Sequence, residues 1–476
     1  MMNYLQRRLD SGAIWMGHLP REARVALTFA AACGAYYIVY AIVLIFYLPR
    51  GSVSEYLQYE SMLLGVVSAA VTAVMAFSAW RKGGESRAVT RNALREARRP
   101  EIFLLWVWLA VAVVNCFIAC RENGLLFRAN RWQLFDLFAC GVILCPLGFA
   151  LARLRSPRFF HCLMEAAMVL TAPLFLGGLW TVFTGRTVPV ITTAVYLYNG
   201  RLALSVNPNI TGGYACLFLM LGLYRLHSLR SRPARYLMMA GELIWLISLI
   251  SSGSLGNIIA AGLGLVFYAT VRFLRNGDVG SRKRLLTAFF FCLGLAAVFA
   301  LLCFVLQKVF HAAEAAATPV VQQSFEHRSW GRITRLSGRS AIWSAIFNEL
   351  SWNRHIWLHG CAPAYLMSHI ESLMGRYYYT HNQFLEILVG QGLVPMVLYC
   401  IWLVYIARDS LSLCFDRREV FCVHWSLPIV LLALVAANLM EALLVGTTHY
   451  IGHLFFLISG FVAGTYVPKK NKKSCP

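Results

Sequence analysis

The sequence predicts an all-α polytopic integral membrane protein of about twelve transmembrane helices, with a large helical extracytoplasmic loop before the last three. Three observations carry this. First, 59% of the 476 residues are hydrophobic and only 13% are charged, with a mean hydropathy of +0.61, which is too apolar for a soluble chain of this length. Second, apolar runs of the length needed to cross a bilayer as helix, about 17 to 25 residues, recur along the chain. Third, Lys and Arg gather in alternate connections between those runs.

The runs fall at 25–48, 62–80, 102–119, 134–152, 162–183, 210–227, 236–252, 255–274, 285–310, 387–407, 425–443 and 448–467. With the N-terminus in the cytoplasm, 30 of the 43 Lys and Arg residues lie on the inner side, which predicts that both termini are cytoplasmic. The formal net charge of +22 is therefore mainly a topology signal rather than a nucleic-acid footprint, with anionic lipid headgroups as the remaining partner for the 81–99 basic block. The N-terminal segment lacks an apolar core followed by a small-residue cleavage site, so the first helix is expected to be retained. Cysteines sit mostly in apolar runs without a CxxC pair and read as small core residues.

Three regions follow: residues 1–310, with nine helices, short loops and an outer loop at 184–209; residues 311–386, the extracytoplasmic loop carrying the candidate active site; and residues 387–476, with three helices and a basic cytoplasmic tail. Loops this long are usually functional, and both are too aromatic to be disordered.

The 311–386 loop holds six of the twelve histidines and six arginines, and no aspartate. Arg328, Arg332, Arg335 and Arg339 are spaced to share one helical face, a row of forked donors matched to phosphate, whether on a ligand or on lipid. The following SAIWSAIFNEL, with Ile342, Trp343, Ile346 and Phe347, predicts a packed amphipathic helix that fixes Arg339 at its start. Thr380-His381-Asn382-Gln383 reads as a capping box with Thr380 as N-cap, placing His381 in the first turn of the tenth span. A positive helix end favours neutral imidazole, the form that accepts a proton. Asn207-Pro208-Asn209 predicts an N-cap and N1 proline for the sixth span, and Ser251 to Ser254 open the eighth. Free N–H groups at such helix starts suit an anion, although every helix start also needs a cap.

No DxD, HExxH or GxSxG motif occurs, and the His355/His359 pair flanks the apolar Ile356, Trp357 and Leu358 with Gly360 disfavouring a continued helix, so neither a metal centre nor a cofactor is expected. Within the spans, Glu165, Glu242 and Glu441 are the costly charges.

NPNITGG at 207–213, SGSLGN at 252–257, GRSAIW at 338–343, HGCAPAYL at 359–366 and HNQFLEILVGQGLVP at 381–395, in that order, make residues 200–407 resemble the bacterial O-antigen ligase and O-antigen polymerase superfamily. The resemblance implies a multi-pass protein of the bacterial inner membrane that transfers a glycan from undecaprenyl diphosphate to a glycan or lipid acceptor, with inversion and without a metal. It implies that His381 is the catalytic base and that Arg339 holds the donor's diphosphate. Ligases and many polymerases carry another arginine where this chain has Leu255, which leaves three alternatives: Arg201, Arg332 or Arg335 supplies that charge from another backbone position, the chain handles a different donor, or its activity is altered. Arg328, Arg186, Asn207, Asn209, Ser254, Asn382 and Glu386 complete the expected substrate-binding set. The alternatives are a repeat-unit polymerase of the same superfamily, a lipid-linked sugar flippase without chemistry, and a non-catalytic scaffold.

Overall fold

The computed structural model describes residues 99–153, 157–190, 193–198, 201–204, 207–229, 231–276, 339–375, 379–415, 425–444 and 450–465. The expected spans at 25–48, 62–80 and 285–310 lie outside the described residues, as do Arg328, Arg332 and Arg335.

The described helices are α1 (Pro100–Glu122), α2 (Arg131–Phe138) continuing through a π-helical turn (Ala139–Leu144) into α3 (Cys145–Arg153), α4 (Pro157–Thr184), α5 (Pro208–Ser228), α6 (Arg232–Ser252), α7 (Leu255–Asn276), α8 (Arg339–Trp352), α9 (Arg354–His359), α10 (Leu366–Met374), α11 (Gln383–Gln391), α12 (Leu393–Phe415), α13 (Leu427–Asn438) and α14 (Tyr450–Thr465). Among the described residues six helical stretches are long and apolar enough to cross a membrane: 100–122, 133–152, 163–184, 232–252, 255–275 and 393–415. They coincide with six of the expected spans. Their outward faces carry Phe103, Trp106, Val114, Phe117, Leu176, Trp180 and Phe183, as helices in lipid require.

Three expectations change. The run at 387–407 is two helices broken at Gly392 (φ 94°), where α11 ends and α12 begins. The runs at 425–443 and 448–467 form shorter helices of 12 and 16 residues, and the chain after α13 is irregular through Leu444. The 184–209 loop is not helical. It forms an antiparallel sheet ordered β1 (Val188–Val190), β2 (Thr193–Tyr198) and β3 (Arg201–Leu204), the one departure from an all-α fold among the described residues. Tyr198 pairs with Arg201, and the intervening Asn199-Gly200 is the sequence signature of a two-residue hairpin.

The bundle core centres on Trp108 of α1, Tyr399 and Trp402 of α12 and Phe455 and Phe456 of α14, with Trp402 and Phe456 stacked at 5.1 Å. The loop helices have a smaller core of their own, in which Ile342, Ile346, Ile356, Leu366, Ile370, Leu385 and Val389 join α8, α9, α10 and α11. This second core is fastened to the bundle through Asn115 of α1, whose Nδ2 donates to the carbonyls of Leu358 (3.2 Å) and Gln391 (2.8 Å). Trp108 Nε1 donates to Gln391 Oε1 (3.0 Å), and the Cys361 amide donates to the Val389 carbonyl (2.8 Å).

The HGC and VGQG motifs are thus the two halves of one interlock. Gly360 (φ 77°, ψ −176°) has a backbone conformation open to glycine almost alone, and a Cβ there would stand 2.6 Å from the Gly390 carbonyl carbon. Gly360→Ala is expected to cost roughly 2–4 kcal/mol through strain and overpacking together. A lowered thermal-unfolding midpoint in detergent would register it.

Candidate active site

The site is assembled where α8, the start of α11 and the segment after α13 converge. α11 begins later than the capping box suggests: Asn382, not Thr380, is its N-cap, accepting from the amides of Phe384 (2.9 Å) and Leu385 (3.1 Å). Both residues have a capping side chain, but Asn382 satisfies two orphan amides at once, whereas the Thr380 hydroxyl is spent on the Asn382 carbonyl (2.9 Å) and Glu386 Oε2 (2.6 Å).

His381 therefore stands just before the helix rather than in its first turn, with a left-handed backbone (φ 51°), a conformation that is costly for a residue with a Cβ and recurs at functional sites. Its neighbours hold it there. Thr380 is fully buried and its carbonyl accepts from Trp343 Nε1 of α8 (2.8 Å), while Asn382 Nδ2 donates to the Leu439 carbonyl (3.0 Å). Glu386, expected to contact substrate, is instead buried behind this turn on the Thr380 hydroxyl. Burial pushes its carboxyl above the ordinary range, against the opposing pull of the Thr380 hydrogen bond.

The central group is Glu441, just past α13. One carboxylate oxygen, Oε2, lies 3.0 Å from His381 Nδ1, and the other, Oε1, pairs with Arg339 Nη2 at the start of α8. Glu441 and Arg339 are both buried, while the His381 side chain keeps 21% exposure. An ionised carboxylate only accepts, so Nδ1 carries the hydrogen and a neutral His381 has its lone pair on Nε2. Arg339 Nε is buried and has no hydrogen-bond partner among the described residues, which leaves a charged donor in want of an acceptor. The Glu441 segment is itself fixed: the Leu443 amide donates to Asn438 Oδ1 (3.0 Å) and the Leu444 amide to Gln383 Oε1 (2.8 Å).

β3 delivers Arg201 to the same region. Its Nε donates to the Ser252 carbonyl (2.8 Å) and its Nη2 to Asn209 Oδ1. Burial pulls Arg201 below its ordinary value, the Glu441 charge pushes it back up and the Arg339 charge lowers it, so all three charges feel one another. Asn207 caps α5 through the Asn209 amide (2.8 Å), as expected. Asn257 Nδ2 donates to the Asn209 carbonyl and to Ser254 Oγ, both at 2.8 Å, tying α5 to the turn before α7. That turn touches α5 at Gly212, where a Cβ would stand 2.7 Å from Ser254 Cβ. The NPNITGG and SGSLGN motifs are thereby a packed pair that carries Arg201.

Arg186 is exposed just past α4, and no contact among the described residues joins it to this set. His355 pairs with Glu122, His359 Nδ1 lies 3.3 Å from Asn115 Oδ1 and His369 pairs with Glu349 at 2.7 Å, so these histidines brace the loop helices. Of the other intramembrane carboxyls, Glu165 pairs with Arg225 (2.9 Å) and Glu242 packs against Gly222 with Oε1 unpartnered among the described residues. Sequence reasoning missed the role of Glu441 in the site. Its only signal was an acidic residue in an apolar run.

The family model described as O-antigen ligase, Wzy_C, matches residues 240–400. The match includes Ser254, Arg339 and His381, and leaves Arg201 and Glu441 outside. No curated protein matches the chain.

Proposed function

We propose that this chain, whose residues 240–400 match the O-antigen ligase family model, transfers a glycan from undecaprenyl diphosphate to an acceptor hydroxyl at the outer face of the bacterial inner membrane. The observation that carries the reading is Glu441 joining Arg339 to His381: one carboxylate positions a base beside a cation with a donor to spare.

In this scheme His381 Nε2 takes the proton of the acceptor hydroxyl. The acceptor oxygen bonds to the anomeric carbon from the face opposite the leaving group, and the bond to the diphosphate oxygen breaks with its electron pair, inverting the configuration. Arg339 and Arg201 stabilise the charge gathering on undecaprenyl diphosphate, in a setting where fixed donors act with little reorganisation. Diphosphate is a good leaving group and two guanidinium groups suit it bidentately, so the step is written without a metal ion. Glu441 is a positioning residue, holding the imidazole tautomer as an orienting carboxylate does in other His-based sites.

Arg201 answers the missing charge at Leu255, because its guanidinium sits on the Ser252 carbonyl at the turn that Leu255 follows. Arg201→Ala is expected to lower turnover by roughly 10²-fold, the size of effect seen when one preorganised donor is lost. Leu255→Arg in that background should restore part of it, which assays with a lipid-linked oligosaccharide would measure.

The acceptor separates ligase from repeat-unit polymerase. A deletion strain decides between them: full-length polymer beside unmodified acceptor indicates a ligase, and accumulation of single repeat units indicates a polymerase. Glu242, an intramembrane carboxyl whose Oε1 has no partner among the described residues, is what favours the flippase alternative. A chain of that kind would leave the donor's glycosyl–diphosphate bond intact.

A further inference from the structure

Outside the candidate site, the fold brings His453 beside an Asp136/Cys140 pair more than three hundred positions earlier in the chain. Asp136 on α2, Cys140 in the π-helical turn and His453 in the first turn of α14 each offer a ligand atom, and these atoms lie within 4.8 Å of one another. All three residues are buried, at 6%, 1% and 3% exposure, and His453 Nε2 stands 2.5 Å from Asp136 Oδ1. Asp136 and Cys140 are four residues apart and share a face. The π-helical turn between them and α3 is a departure from regular helix that recurs at functional sites.

The two elements are also held in fixed register below the cluster. α14 runs against the π turn and α3 in backbone contact: a Cβ at Gly460 would collide with the Cys145 carbonyl oxygen, and one at Gly148 with the Leu457 carbonyl oxygen. Close approach through small residues is how helices associate in lipid, where the hydrophobic effect does not drive them together. The three ligand positions therefore sit on a rigid pair of backbones, so that only side-chain rotation is needed to bring them into coordination.

We propose that Asp136, Cys140 and His453 bind one Zn²⁺ that fastens α14 to the α2–α3 rod. The donor set decides the class of ion. A carboxylate oxygen, a thiolate sulfur and an imidazole nitrogen suit zinc, whereas Mg²⁺ and Ca²⁺ call for oxygen donors throughout. Charge balance points the same way. With the carboxylate ionised, the thiol proton released to solvent and the imidazole neutral, two negative ligands offset the 2+ ion, and the site is neutral in a region where a net charge is costly. Zinc–ligand bonds of about 2.0–2.3 Å place tetrahedral ligand atoms roughly 3.3–3.8 Å apart. The Asp136–His453 contact would open by under about 1 Å, and the wider separations, within 4.8 Å, would close by up to roughly 1.5 Å. Three protein ligands leave the fourth position to water. This site shares no residue with Arg339, Glu441 or His381, and its role is to hold helices, so it stands apart from the metal-free transfer step.

Cobalt and zinc loading of the purified full-length protein in detergent tests this. After dialysis against metal-free buffer, addition of Zn²⁺ should leave about one zinc per chain by elemental analysis and raise the thermal-unfolding midpoint, while Mg²⁺ does neither. Co²⁺ should give a near-ultraviolet thiolate-to-cobalt absorption band that Cys140→Ser abolishes and that Asp136→Asn or His453→Gln weakens at least tenfold in apparent affinity. The wild-type zinc and cobalt measurements stand alone should a variant fail to fold. Absence of stoichiometric zinc in the loaded wild type, or a cobalt band unchanged in Cys140→Ser, would overturn the proposal and leave the cluster as a carboxylate–imidazole hydrogen bond beside an apolar thiol.

Discussion

His381→Ala is expected to reduce glycan transfer by roughly 10²- to 10⁴-fold, about 2.7–5.5 kcal/mol of transition-state stabilisation, the span typical of a positioned general base. The loss should fall on turnover, with donor binding nearly unchanged, because Arg339 and Arg201 remain in place. Stability should hold or rise slightly. Alanine removes a partly exposed ring and keeps the left-handed backbone strain, while Glu441 retains Arg339 as its partner. Transfer measured with purified protein, a lipid-linked oligosaccharide donor and acceptor glycan reads the first effect, and thermal unfolding reads the second. Near wild-type turnover would remove His381 from the chemistry.

Glu441 should behave in the opposite way, damaging fold and activity together. Its carboxylate and the Arg339 guanidinium are both buried, and removing one partner of such a pair leaves the other charge uncompensated, at a cost of about 3–5 kcal/mol. Glu441→Ala is thus expected to lower the unfolding midpoint markedly and to release the His381 ring. The sign of the next step is diagnostic. Arg339→Ala combined with Glu441→Ala removes both charges, so the double variant should be more stable than Glu441→Ala alone, yet still inactive. Equal or greater destabilisation in the double variant would show that the pair is not the coupled unit described above.

Much of the scaffold was legible because local chemistry decides it. Asn207-Pro208 opens α5 as an N-cap and N1 proline must, and the apolar spacing after Arg339 produced α8 with Arg339 buried at its start. Other features depend on competition or on distant contacts. Thr380 and Asn382 both have capping side chains, and only the packed turn, with Thr380 engaged by Glu386, selects Asn382. Gly392 looks like an interior residue of an apolar run, yet the close passage of the Leu358 backbone imposes the break there. The placement of Arg201 requires the β2–β3 register, and Glu441 reaches residues 60 and 102 positions away. Neither relation has a periodicity or a spacing to read. Asn199-Gly200 between alternating residues was the overlooked signal for the hairpin.

The transfer claim is tested most directly by product stoichiometry in proteoliposomes containing the purified chain, an undecaprenyl-diphosphate-linked oligosaccharide and acceptor glycan. One undecaprenyl diphosphate is expected to be released for each glycan joined to acceptor, with inverted anomeric configuration in the product. Donor that crosses the bilayer chemically unchanged, with no acceptor modified, would contradict it.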